Sequence, residues 1–80
     1  MKIIKFYSEA CGPCKVLAKQ IEVNGLANSI TSVNVDFNRK EIEKYNIRSI
    51  PTTIVLDETG KEVKRWNGLF DVRELKDYLE

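Results

Sequence analysis

Hydrophobic and polar positions along this chain repeat with two periods, and the changes from one to the other mark its elements. Residues 2–7 (Lys2-Ile3-Ile4-Lys5-Phe6-Tyr7) are apolar or aromatic at most positions, which predicts a buried strand. Ser8 to Gly12 reads as a loop. Pro13 then falls in the first turn of a helix, where its missing N–H costs little. Val16, Leu17, Gln20 and Ile21 repeat at helical spacing, and Gly25 is a natural stop. Residues 31–36 predict a short second strand with Val33 and Val35 on one face. Asn38 with Glu41 three positions on predicts a capped helix that carries Ile42 and Tyr45 inward and ends near Asn46.

The β-branched run Thr52 to Leu56 predicts a third strand, Asp57 to Gly60 a turn, and Lys61 to Asn67 a more polar strand pairing back antiparallel. Asp71 with Glu74 marks a last helix start, with Phe70 placed to pack on Leu75 as a hydrophobic staple. Val72, Leu75, Tyr78 and Leu79 give that helix its apolar stripe. The order is therefore βαβαββα, an α/β fold. A strand–helix–strand opening implies a right-handed parallel crossover, and the final hairpin adds antiparallel strands. A four-stranded mixed sheet with three helices on both faces follows, as one domain over residues 1–80.

Composition narrows the chemistry. Eighty residues hold one small core and exclude separate cofactor and substrate domains. Thirteen Lys and Arg against twelve Asp and Glu leave a net charge of +1, with no field to attract a nucleic acid or an anionic membrane. There is no His, so the commonest general base and metal ligand are missing. The start lacks the unbroken apolar stretch of a secretory signal, and no apolar run is long enough to span a bilayer. The expectation is a cytoplasmic monomer without nucleic-acid or membrane partners.

What remains is a pair of cysteines, Cys11 and Cys14, separated by Gly12-Pro13. Such a pair can be a staple, half a metal site, two inert thiols or a redox couple. As a staple it would close a four-residue loop, worth only about 2 kcal/mol in the chain-entropy model. As a zinc site it would need two carboxylates to complete the ligand set. As a redox couple its position is apt, because it follows a strand and opens a helix. Free N–H groups and the positive end of the helix dipole favour thiolate there. An ordinary thiol is only roughly 3% ionised at pH 7, and lowering its pKa to about 7 raises that to roughly half. Cys11, on the loop side, is then the nucleophile. Cys14, one turn inside, is the resolving thiol. Gly12 lets a substrate chain approach, and Pro13 stiffens the turn.

The segments Cys11-Gly12-Pro13-Cys14-Lys15 and Ile47-Arg48-Ser49-Ile50-Pro51-Thr52 resemble the two signature segments of the thioredoxin family. The similarity continues through Asn34-Val35-Asp36 and Gly68, and covers nearly the whole chain from Lys5 onward. The resemblance implies a thioredoxin fold and a protein-disulfide reductase. Its redox-active disulfide would be Cys11–Cys14, with no other cofactor bound. Its partners would be protein disulfides and an NADPH-dependent thioredoxin reductase. It also implies a cis Ile50–Pro51 bond, an Ile50 backbone that pairs with substrate, and Gly68 as another wall of the docking surface.

The sequence departs from that family in places. The family's leading strand and helix have no counterpart here, which suggests a minimal version. Ala10 stands where thioredoxins usually carry Trp, Tyr7 replaces another aromatic, and the single Trp66 lies on the last strand. Lys5 occupies the position of a buried Asp, and Ser32 that of the Lys that often partners it. Lys5 either supports a thiolate by its charge or snorkels to solvent. Asn67-Gly68-Leu69-Phe70-Asp71 weakly resembles the glutathione-binding segment of glutaredoxins, so a glutathione-dependent reductase is an alternative reading. A non-catalytic docking module is another.

Overall fold

The first strand decides the architecture, because its alternating residues serve opposite faces of the sheet. In the computed structural model, which describes residues 1–79, β1 spans Lys2–Tyr7, α1 Gly12–Val23 and β2 Ile30–Asn34. They are followed by α2 (Arg39–Lys44), β3 (Thr52–Leu56), β4 (Glu62–Asn67) and a C-terminal 3₁₀ helix (Val72–Tyr78). A single 3₁₀ turn, Ala27–Ser29, precedes β2. The sheet order is β2-β1-β3-β4, with β1 and β2 parallel and the other neighbours antiparallel. The mixed four-stranded sheet with helices on both faces is the arrangement that the pattern predicts.

Ile3 from β1 and Val55 from β3 join Leu17, Ile21 and Leu26 beneath α1, where Val72 and Leu75 of the 3₁₀ helix complete the cluster. Ile4, Phe6, Ile54 and Leu56 face the other way and pack with Ile47, and Ile42 of α2 and Tyr45 just after it close over them. The rings of Phe6 and Tyr45 meet at 5.9 Å and 60°. Arg65 ties α2 down from β4. Its Nη2 donates to the Tyr45 carbonyl at 2.6 Å and its Nη1 to that of Asn46 at 3.4 Å, so a cation caps the negative end of the helix. Glu62 holds the guanidinium in place with two bonds of 2.7 Å.

Several local expectations need correction. In α1 the buried stripe is Cys14, Leu17 and Ile21, while Val16 is 49% exposed and Gln20 is also outside. Val16 lies about 100° from Leu17 around the helix, which carries it off the sheet-facing side. β2 begins and ends earlier than residues 31–36, and Val35 packs on the α2-side cluster from beyond its end. Asn38 does not cap α2 with its side chain; its amide instead donates to the Asn34 carbonyl at 2.8 Å and fixes the loop after β2. The last helix is 3₁₀ rather than α. With about three residues per turn, Val72, Leu75 and Tyr78 fall in line on the core side. Asp71 starts it as expected, accepting the Arg73 N–H at 3.0 Å.

Candidate active site

The site forms where β1 ends. The Ser8 hydroxyl donates to Asp36 Oδ2 at 2.9 Å and the Val35 N–H donates to the Tyr7 carbonyl at 2.9 Å, which joins the loops that follow β1 and β2. The Cys11 N–H donates to the Ser8 carbonyl at 3.2 Å, turning the chain into α1. Cys11 is the N-cap of that helix, and its Sγ accepts the Cys14 N–H at 3.1 Å. Pro13 lies in the first turn, as its missing N–H allows.

Cys11 and Cys14 are joined as a disulfide, with Cα atoms 5.2 Å apart. The two sulfurs differ in access. Cys14 is buried, 3% exposed, whereas Cys11 is half-buried beside the exposed Gly12 and Pro13. A Cβ on Gly12 would meet no atom within 4 Å, so the space above it is open. No acidic residue stands in the first turn of α1, so no carboxylate of the helix itself offsets the field that it places on Cys11 Sγ. The more accessible sulfur is therefore also the one at the N-cap, where it accepts a helix N–H.

Beneath Cys14 lies a cavity of about 300 Å³, lined among others by Lys5, Tyr7, Glu9, Lys15 and Ser32. Lys5 is 8% exposed, so its side chain does not run out into solvent. Its Nζ lies 5.5 Å from the centre of the Tyr7 ring. Burial lowers the pKa of its ammonium. Register places Ser32, Lys5, Thr53 and Trp66 in one row across the α1 face of the sheet. Among the described residues, Thr53 Oγ1 is the buried side-chain polar atom without a hydrogen-bond partner.

A second group of residues gathers at the same end of the sheet. Pairing of Phe6 with Thr52 puts Pro51 beside the end of β1, from which the chain runs into the cysteine loop. The Ile50–Pro51 bond is cis, as the resemblance implies. Its turn is held from two sides. The Thr52 hydroxyl donates to the Ser49 carbonyl at 2.7 Å and lies 3.2 Å from Asn67 Oδ1, and the Gly68 N–H donates to the Pro51 carbonyl at 2.7 Å. Gly68 has φ +88°, a conformation that side chains rarely adopt, and a Cβ there would meet nothing within 4 Å. Ile50 lines a shallow groove of about 200 Å³ with Val35, Ile42, Ile47, Arg48 and Ser49.

Cys11, Cys14, Gly12, Pro13 and Lys5 thus form one cluster, and Ile50, Pro51 and Gly68 another. Thr53 and Ser8 join this site with no motif in the sequence to mark them, and the Tyr7 ring joins it as the neighbour of the Lys5 ammonium. Alternation along β1 carried the signal for this layer, since Lys5 and Tyr7 share the parity of Ile3. Trp66 lies on the last strand as expected, where it stacks on Phe70 at 4.4 Å and meets Tyr78 edge-on at 6.1 Å. Among the described residues no group of three or more His, Cys, Asp or Glu is placed to hold a metal ion. No helix among them is long and apolar enough to cross a membrane.

Comparison with known proteins agrees with this geometry. The thioredoxin family model matches residues 1–80. A thioredoxin of Chlamydia trachomatis is 39% identical over 72 residues, covering 86% of this chain and 70% of that relative. A probable thioredoxin-2 of Caenorhabditis elegans is 32% identical over 82 residues, and there the match covers 98% of this chain but only 56% of the relative. The structure of thioredoxin 1 from Thermosipho africanus superposes with a TM-score of 0.78 at 27% identity, covering 99% of this chain and 94% of that one.

Proposed function

Because the chain belongs to the thioredoxin family, we propose that it is a thiol–disulfide oxidoreductase that reduces protein disulfides through Cys11 and Cys14. The observation that carries this reading is the asymmetry of the pair: Cys11 is accessible and accepts an N–H at the helix mouth, while Cys14 is buried behind it. In the dithiol form the Cys11 thiolate attacks one sulfur of a substrate disulfide. The substrate S–S bond breaks, its other sulfur leaves as a thiolate, and a mixed disulfide forms at Cys11. The Cys14 thiolate then attacks Cys11 Sγ. The mixed disulfide breaks, the second substrate sulfur leaves and is protonated by solvent, and Cys11–Cys14 is oxidised. Two electrons have passed from the protein to the substrate.

Ile50, half-buried before the cis bond, offers its backbone groups to an extended substrate segment, in the manner of an added strand. The open space over Gly12 and Gly68 supports a surface that admits such a segment from both sides. The apolar groove beside Ile50 supports tolerance of many sequences over recognition of one. Electrons return from an NADPH-dependent thioredoxin reductase, and a reversible dithiol of this kind suits the reducing cytoplasm. Glutathione fits less well as the donor, because the Asp71 carboxylate is already engaged by the Arg73 guanidinium at 2.8 Å and the Arg73 N–H at 3.0 Å.

One assay separates the donors. Reduction of a disulfide substrate is followed with NADPH and thioredoxin reductase, and separately with glutathione and its reductase. Turnover with the first donor is expected. Turnover with glutathione alone overturns the choice of donor, and turnover with neither favours a docking module.

A further inference from the structure

We propose that Lys5 is a positioning residue for the resolving step, its ammonium serving as the counter-ion of the Cys14 thiolate. This rests on the reductase reading only in assigning Cys14 its role; the pairing itself is a property of the folded chain.

Lys5 is the only charged residue buried in the described structure, and such residues are almost never buried without a partner. None of the ion pairs among the described residues involves it; those pairs are Lys19–Glu22, Glu62–Arg65 and Asp71–Arg73. What it shares is a cavity with Cys14. The groups facing that cavity can be taken element by element. β1 and its loop bring the Tyr7 phenol, the Ser8 hydroxyl and the exposed Glu9 carboxylate. α1 brings Cys14, Ala18 and the exposed Lys15, and β2 brings Ser32, while Thr53 of β3 does not line the cavity but lies across from Lys5 in the sheet. Asp36 is held by Ser8 at the cavity edge. Cys14 is the buried group among them that can take a negative charge beside Lys5.

In the disulfide form the ammonium has the Tyr7 ring 5.5 Å away but no anion paired with it. No thiolate exists there, and desolvation lowers the Lys5 pKa. Reduction and ionisation of Cys14 bring an opposite charge into the same desolvated space, where attraction is much stronger than in water. Each group then favours the charged form of the other. Cys14 loses its proton to solvent before it attacks Cys11, and Lys5 holds it as the thiolate during the life of the mixed disulfide. By linkage, ionisation of Cys14 must raise the Lys5 pKa as much as the Lys5 ammonium lowers that of Cys14.

The test uses Cys11→Ser protein, in which Cys14 is the single thiol, and follows its ionisation by the ultraviolet absorbance of the thiolate. Adding Lys5→Met should raise the midpoint by about 1–3 pH units, while Lys5→Arg, which keeps the charge, should leave it close to that of Cys11→Ser alone. An unchanged midpoint in Lys5→Met overturns the proposal. So does an equal rise in Lys5→Met and Lys5→Arg, which would mark a packing effect. A second measurement needs no substitution: the Lys5 side-chain nitrogen is titrated by NMR in the disulfide and dithiol forms. A higher midpoint in the dithiol form supports the pairing, and equal midpoints overturn it. Neither readout involves turnover, so loss of reductase activity would leave both outcomes readable.

Discussion

The two faces of the sheet are built from the same strands but treat buried hydroxyls differently. Thr52 and Thr53 are neighbours on β3 and both are fully buried, yet they point to opposite sides. Thr52, on the α2 side, donates to the Ser49 carbonyl and helps fix the turn that carries the cis bond. Thr53, on the α1 side, has no partner and lies across from Lys5. The α2 face is otherwise filled by Ile4, Phe6, Ile54 and Leu56, with Arg65 holding the helix from the edge. Below α1 the apolar cluster of Ile3, Val55 and Leu17 gives way toward the cysteines to a layer of Ser32, Lys5 and Thr53. The α2 face is apolar up to the turn that carries the cis bond, whereas the α1 face ends in a polar layer beside Cys14.

Substitutions can break this contrast at graded strengths. The largest stability effect belongs to the α2 face. Ile54→Ala removes a fully buried side chain and should cost about 2–5 kcal/mol in thermal or denaturant unfolding, equally for the disulfide and dithiol forms. A much larger cost in one redox form would mean that this face is coupled to the site. The threonine pair gives a finer comparison. Thr52→Val leaves the Ser49 carbonyl without its donor and should cost about 1–2 kcal/mol. Thr53→Val removes a hydroxyl that has no partner and should be neutral or stabilising in the same measurement. Equal losses at the two positions would contradict the account of the two faces.

The smallest effect concerns the 3₁₀ helix that covers the α1 side. The Arg73 guanidinium, with help from the Arg73 N–H, lowers the Asp71 pKa from its ordinary 3.8 to about 2. A carboxylate depressed on folding contributes stability above its unfolded pKa and loses it as pH falls through the folded value. The helix should therefore loosen as pH falls from about 4 to 2. Trp66 reports this, since Tyr78 of that helix packs on its ring edge-on. Asp71→Asn should bring the Trp66 near-ultraviolet signal of the acidic protein to neutral pH. A variant signal identical to that of the parent throughout the titration would rule out this cap as the cause.

Much of this was legible in the sequence because the deciding residues act locally. Pro13 and Gly25 bracket α1 through their own backbone preferences, and the β-branched run Thr52–Leu56 forms the most deeply buried strand. The cysteines were identifiable because their spacing and the helix that they open are both local features. What was not legible depends on partners far apart in the chain. Burial of Lys5 is set by α1 passing over β1, and Arg65 caps α2 from a strand some 20 positions away. The 3₁₀ winding of residues 72–78 was hidden for another reason, because apolar residues at spacings of three fit either helix.

The most direct check is to mix reduced Cys14→Ser protein with a disulfide-bonded protein substrate and analyse the products by mass spectrometry. Without its resolving thiol the protein should accumulate as a mixed disulfide through Cys11 that a small thiol releases, and Cys11→Ser should form no such adduct and show no turnover. Free reduced substrate from Cys14→Ser at the parent rate, or an adduct carried by Cys14 in the Cys11→Ser protein with turnover retained, would contradict the assignment of Cys11 as nucleophile and Cys14 as resolving thiol.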